Sequence, residues 1–262
     1  MYPELFQLNL PEFINSLFSI NTITIYSYPF CILIGSIVAY HYFIYAQSKY
    51  IGSINLKLNF VLLIIVMAYL GGKTFLVLDD ASSYLDKVLS IEFYSSSGFV
   101  FYGSFLFCLF TVVLVLKKKK LPVLKYLDLI AIVTAIVHSA GRLGCFLAGC
   151  CYGKPTDSIF GVQFPENSIA TVHPTQLYES IFIVLLLVLL LKLLKSKNDG
   201  TVFTFYVLSY AVWRFLLEYL RGDQRGYVFN GFLSHSQLIA LSLIFLSATL
   251  LLINSKRLKF TR

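Results

Sequence analysis

Gly141-Arg142-Leu143-Gly144-Cys145-Phe146-Leu147-Ala148-Gly149-Cys150-Cys151-Tyr152-Gly153 closes an apolar run that begins near Leu127. One residue in it governs how the rest is read. A guanidinium stays charged at any working pH, and an arginine at bilayer depth without a partner costs roughly 2.5–3.5 kcal/mol. Its presence at the mouth of a spanning-length segment calls for an anion. A phosphate fits, because arginine grips it bidentately, and crowded glycines let backbone N–H groups come close to such a group. The stretch reads as a head-group site at the end of a membrane span.

The surrounding chain has the composition of a membrane protein. Its 262 residues are 58% hydrophobic and 13% charged, with a mean hydropathy of +0.77. Soluble domains carry about 25% charged residues. Aromatics reach 16%, which suits the membrane interface, where Tyr and Trp settle. The first twenty residues lack a basic stretch and a small-residue cleavage site, so no cleavable signal peptide is expected and the first span serves as the insertion signal. No segment is polar and long enough to fold separately, and the expectation is a single membrane domain over 1–262. Apolar runs of about 20 residues lie near 24–45, 56–78, 98–116, 123–147, 175–195, 201–220 and 232–253. The predicted fold class is all-α: a polytopic integral membrane protein of about seven transmembrane helices.

Charge placement sets the orientation and removes nucleic acid as a partner. The net charge is +8, yet 14 of the 21 basic residues fall in alternate connections: Lys49 and Lys57, Lys117, Lys118, Lys119, Lys120 and Lys125, Lys192, Lys195 and Lys197, and Lys256, Arg257, Lys259 and Arg262. The opposite connections carry Glu4, Glu12, Asp79, Asp80, Asp86, Glu92, Asp157 and Glu166. The positive-inside rule then predicts an outside N-terminus and a cytoplasmic C-terminus. Lys73, Arg142, Lys154, Arg214, Arg221 and Arg225 fall on the outward side against that rule. An anionic ligand is the simplest reason for them.

Several stretches carry candidate chemistry. On the fourth span, His138, Arg142, Cys145 and Gly149 share one helical face; a small-residue packing face explains the glycines but not Arg142. The cysteines have no second pair at zinc spacing, and adjacent cysteines are poor joint ligands, so neither metal nor disulfide framework is expected. His173-Pro174-Thr175-Gln176-Leu177-Tyr178-Glu179 opens the fifth span. Thr175 is the expected N-cap, Gln176 reads as structural, and Glu179 needs a cation, for which an outward-side arginine is the natural source. Along the sixth, Tyr210, Arg214, Glu218 and Arg221 form one polar stripe. Arg214 and Glu218 at i, i+4 make either a structural ladder or, with Arg142, a two-armed phosphate clamp. Tyr102, within Gly98-Phe99-Val100-Phe101-Tyr102-Gly103-Ser104, and Tyr28, just before Pro29, read either as interfacial aromatics or as site residues.

Taken together, the Gly-Arg-x-Gly-Cys-Phe run, the His-Pro-Thr-Gln-Leu-Tyr-Glu run, Arg214-Phe215-x-x-Glu218-x-x-Arg221 and Gly231-Phe232-Leu233-Ser234-x-x-Gln237 resemble, in this order, the bacterial prolipoprotein diacylglyceryl transferases. The resemblance covers about Tyr28 to Gln237. It implies transfer of the diacylglyceryl group of phosphatidylglycerol to the lipobox cysteine of a preprolipoprotein signal peptide, at the extracytoplasmic face of the bacterial cytoplasmic membrane, with no cofactor and no metal. It matches Arg142 to the phosphatidylglycerol-binding arginine, Arg214 to the second essential arginine, Tyr210 to a tyrosine one turn earlier, Tyr28 to a first-span tyrosine, Glu179 and Glu218 to two carboxylates, and Gly153 to a closing glycine. Apart from Tyr210 these residues, with His173, are the expected phosphatidylglycerol contacts. The chain departs from well-known members where they carry His-Gly-Gly, for which it has Tyr102-Gly103-Ser104. Cys145 and Cys150 stand where some members have Asn and Glu.

The implied chemistry needs a held phosphate and a deprotonated thiol. A free thiol, with pKa near 8.5, is only a few per cent ionised at neutral pH. Arg142 and Arg214 are the expected clamp, with Tyr102, Tyr210 or His173 relaying the thiol proton. Rival readings are a small transporter or lipid-binding protein built on the same arginines, and a re-purposed family member lacking the usual histidine.

Overall fold

Many large apolar side chains of this protein are exposed, while several polar ones are buried. Ile65, Leu185 and Phe245 are exposed, as are Leu33, Ile37, Leu62 and Val188, whereas Ser27, Gln47, Lys73, Asp128, Gln176 and Glu179 are buried. Water would penalise such an exterior, and a hydrocarbon solvent would not. The fold comes from a computed structural model that describes residues 3–9, 22–79, 88, 90, 93–94, 100–164, 170–195, 198–222, 227–228 and 233–260, without the side chains of 79, 101, 102, 227, 228 and 253–260. Glu12, Asp80, Asp86, Glu92, Glu166, Lys197, Arg225, Gly231, Phe232 and Arg262 lie outside the described residues.

In chain order, β1 (Glu4–Asn9) pairs antiparallel with β2 (Thr22–Tyr26), then come α1 (Ser27–Ala46), α2 (Leu58–Asp79), α3 (Phe101–Lys118), α4 (Val123–Ala148), α5 (Thr175–Leu193) and α6 (Thr201–Leu217). A short pair, β3 (Tyr227–Val228) with β4 (Leu233–Ser234), leads into α7 (His235–Phe260). The chain is mainly helical, and the two small sheets are an addition to the all-α expectation. Residues 24–26, read as the start of the first span, are strand: alternating β-branched Thr and Ile favour an extended chain as strongly as they favour lipid. Among the described residues, five helical segments are long and apolar enough to cross a membrane: Ser27–Ile51, Leu58–Leu78, Val123–Ala148, Thr175–Leu193 and His235–Leu252. The other two long helices, α3 and α6, have 18 and 17 residues.

The chain groups into two compact units, one of Met1–Phe43 with Leu127–Arg262 and one of Ile44–Tyr126. Within the first, α1 and α4 approach closely at glycines. A Cβ on Gly35 would lie 2.6 Å from Ala140 Cβ, and one on Gly144 would lie 3.0 Å from Cys31 Cβ and 3.1 Å from the Tyr28 Cα. Small residues at such crossings supply packing that the hydrophobic effect does not supply between helices in lipid. At the far end of α4, buried Asp128 accepts from the backbone N–H groups of Gly200 (2.7 Å) and Phe203 (2.8 Å). It satisfies orphan donors at the start of α6 from a neighbouring helix. Ser234 and Gln237 form a reciprocal capping box at the start of α7.

The second unit is organised in a similar way. Gly71 on α2 and Gly103 on α3 face each other so closely that a Cβ on either would strike the other's carbonyl oxygen. Beyond α1, a π-turn at Gln47–Ile51 ends on Gly52 at φ 84°. Buried Gln47 donates to Leu56 O (2.7 Å) and accepts from Leu56 N (2.9 Å), which ties down the connection to α2.

The α1–α4 crossing makes a direct prediction. Gly35→Leu should lower the unfolding free energy by about 1–3 kcal/mol through overpacking, read as a lower thermal midpoint in detergent. Ile34→Leu, at an exposed position, should leave the midpoint unchanged.

Candidate active site

The first turns of α5 carry the site's one wholly enclosed charge. Glu179 is 0% exposed, and a buried carboxylate without partners is costly. Here it has three. Arg142 Nε lies 3.0 Å from Oε2, the Tyr210 hydroxyl donates to Oε1 at 2.8 Å, and His138 Nε2 lies 3.4 Å from Oε1. α4 supplies His138 and Arg142 one turn apart, α6 supplies Tyr210, and Ser180 Oγ donates to Ser139 O (3.0 Å), drawing α5 against α4. The His138 ring packs edge-on to Tyr210 at 4.9 Å, and its Nδ1 lies 3.4 Å from the Tyr206 hydroxyl.

Arg142 approaches this carboxylate with Nε at 3.0 Å, and its side chain keeps 22% exposure, so the guanidinium stays within reach of another anion. One turn along α6 from Tyr210, Arg214 Nη1 lies 2.7 Å from Glu218 Oε2, and Nη2 donates to Ser236 Oγ of α7 at 3.3 Å. Glu179 Oε2, Arg214 Nη1 and Glu218 Oε2 lack well-aligned hydrogen bonds, so these contacts are ion pairs by distance. Both guanidiniums act electrostatically on the Tyr210 hydroxyl.

The C-terminal end of α4 is fixed by its own backbone. Gly149, at φ 76°, takes the left-handed position; its N–H bonds Phe146 O (3.1 Å) and that of Cys150 bonds Cys145 O (3.1 Å), a Schellman ending. The chain then runs alongside two others. Gly153 N donates to His173 O (2.8 Å), and Lys154 N donates to Leu220 O (2.8 Å). A Cβ on Gly153 would lie 2.8 Å from His173 Cβ, so a glycine is required where the strands cross. The Cys151 thiol is drawn down by hydrogen bonds with Cys145 and Cys150, with Arg221 and Arg142 reinforcing them.

The structure thus brings Arg142, Glu179 and Tyr210 into one cluster, with Arg214 and Glu218 forming a second pair on the same α6 face. Tyr28 stands half exposed in the first turn of α1, within electrostatic reach of Arg142. Gly153 sits at the strand crossing, and the contacts of the His173 ring are with Tyr178 (Nδ1 to Oη 3.3 Å). Tyr102 is in the first turn of α3, and its side chain lies outside the described residues. Thr175 does not cap α5: Pro174 holds that position, and the Thr175 hydroxyl donates to Cys151 O (3.0 Å). Gln176 Nε2 donates to Cys150 O, a structural tie. Tyr206 and Ser236 were not singled out from sequence. Tyr206 lies one turn before Tyr210, a signal that could have been read; Ser236 comes from another helix and left none.

Fold and site define a helical membrane protein built round buried arginine–carboxylate pairs. The family model for prolipoprotein diacylglyceryl transferase matches residues 15–253. The phosphatidylglycerol–prolipoprotein diacylglyceryl transferase of Clostridium tetani is 42% identical over 188 residues, covering 70% of this chain and 74% of its own. Enzyme 2 of that name from Clostridium perfringens is 35% identical over 240 residues, 90% and 92% of the two chains. That of Finegoldia magna is 29% identical over 229 residues, 87% and 90%. The chain belongs to the prolipoprotein diacylglyceryl transferase family.

Breaking a buried pair by removing one partner costs about 3–5 kcal/mol. Glu179→Gln, which leaves Arg142 uncompensated, should therefore lower the detergent melting midpoint more than Glu179→Asp, which keeps the charge.

Proposed function

We propose that this chain transfers the diacylglyceryl group of phosphatidylglycerol to the lipobox cysteine of a preprolipoprotein, forming a thioether and releasing glycerol phosphate, the first step of lipoprotein maturation. Family membership supports the reaction, and the pairing of enclosed Glu179 with an Arg142 that stays part exposed is the observation that carries the site. In this reading all seven long helices span the bacterial cytoplasmic membrane, with the N-terminus outside and the C-terminus in the cytoplasm. The arginine cluster then faces the extracytoplasmic side, where both lipid-borne substrates arrive. The outward apolar faces of α1, α2, α5 and α7 support the bilayer as the surrounding solvent.

The reaction is a displacement at a glycerol carbon. The cysteine thiolate forms the new C–S bond, the C–O bond to phosphate breaks, and its electron pair leaves on the phosphate oxygen. Arg142 holds the phosphate with its Nη edge and neutralises the charge that grows there. Glu179 and Tyr210 keep that guanidinium in register, so little reorganisation is needed at the moment of transfer. Arg214, released from Ser236, supplies the second arm, with Glu218 limiting how far it moves. Tyr28 and Gly153 shape the lipid's entry and the floor of the site. The thiol proton passes to Tyr102, Tyr210 or His173, and the cationic surroundings favour the thiolate.

The test uses purified protein, phosphatidylglycerol and a lipobox peptide, with mass spectrometry of the product. A diacylglyceryl adduct on the cysteine is expected. Arg142→Lys and Arg214→Lys keep the charge but lose the planar fork, and each should reduce turnover by about 100-fold or more. Full activity in both inserted, folded variants would overturn the clamp, while Tyr102→Phe at full rate would remove Tyr102 as a proton carrier.

A further inference from the structure

Sequence spacing argues against Cys145, Cys150 and Cys151 acting as joint ligands, because neighbouring side chains on an extended chain diverge. The backbone here removes that objection. In a Schellman ending the residue two past the helix stop packs on the residue three from its end, and those positions are Cys150 and Cys145. Cys151 then adopts φ 63°, a left-handed conformation uncommon for a side chain with a Cβ. This turns the chain back, and all three sulfur atoms lie within 4.8 Å of one another. Strain of this kind gathers at ligand clamps. Two of the three ligand residues are also held from outside, Cys151 through its carbonyl by Thr175 and Cys150 through its carbonyl by Gln176.

We propose that these three sulfurs form a binding site for a soft monovalent metal ion, Cu(I), at the C-terminal end of α4. Three features choose the metal. Thiolate ligands select soft ions. Among the described residues no fourth His, Cys, Asp or Glu joins the cluster, which suits three-coordinate Cu(I) better than tetrahedral Zn(II). Arg142 and Arg221 both act electrostatically on Cys151, so a singly charged ion meets less repulsion than a doubly charged one, and the guanidiniums balance the excess thiolate charge. Cys145 is buried, Cys151 half-buried and Cys150 exposed, which gives the ion a way in through Cys150. Binding would clasp the end of α4 one turn beyond Arg142. The site is independent of the proposed reaction, since loading it needs neither lipid nor peptide.

The test is anaerobic titration of the full-length protein in detergent with Cu(I) buffered by a chromophoric Cu(I) chelator, followed by X-ray absorption on the loaded protein. One Cu(I) per chain is expected, with sulfur neighbours only. Cys150→Ser, a change at an exposed position, should lose tight binding, and a variant carrying both Cys31→Ser and Cys108→Ser should keep it. Unchanged binding in Cys150→Ser, or displacement of Cu(I) by equimolar Zn(II), would overturn the proposal. So would thiol counting on the purified protein that finds two of the three joined as a disulfide.

Discussion

Everything near the arginine site depends on the burial of one carboxylate. Glu179 lies wholly buried, where an unmatched charge is not tolerated, and it draws a contribution from each of two other helices. Arg142 and His138 come from α4, and Tyr210 comes from α6. A buried pair of this kind is weak evidence for added stability. Its value is geometric, because it fixes the direction of a long, flexible side chain. Arg142 is held at Nε and keeps part of its side chain exposed, a preorganised donor where a mobile arginine would have to be ordered at each turnover.

The helix contacts around the site are arranged to serve that placement. Gly35 and Gly144 let α1 approach α4 closely enough to bring the first turn of α1, with Tyr28, beside Gly144. The Schellman ending and the strand crossing at Gly153 then lock the chain beyond Arg142 onto the start of α5 and the end of α6. A loop leaving a membrane helix is ordinarily among the least stable parts of a fold. Here backbone bonds to His173 and Leu220, together with the Thr175 and Gln176 side chains, restrain it where the site requires precision.

The helices were legible because each carries an apolar run near bilayer length, and the observed limits of α4, α5 and α6 fall within about two or three residues of the expected ones, as such boundaries do. The strand at Thr22–Tyr26 was not, since Thr-Ile alternation suits lipid and sheet alike. Within the site, the Arg214–Glu218 pair was readable from i, i+4 spacing on one helix. The need of Glu179 for an arginine was also readable, but that Arg142 is the partner was not, because the choice depends on which helices pack together. The same limit hid Ser236, and it left His138, placed on the Arg142 face from sequence, without its carboxylate partner. Thr175 shows how a local rule yields to packing: a good capping residue gave up that role because a neighbouring carbonyl, that of Cys151, stood within reach.

A double-mutant cycle on Arg142 and Glu179 tests the central coupling most directly. Thermal or denaturant unfolding in detergent would be measured for Arg142→Gln, Glu179→Gln and the two combined. If the carboxylate and the guanidinium hold each other in place, the double variant is less destabilised than the sum of the singles, with a coupling of about 2–3 kcal/mol. Additive losses, within about 0.5 kcal/mol, would mean that Glu179 does not position Arg142 and that the site is organised by something else.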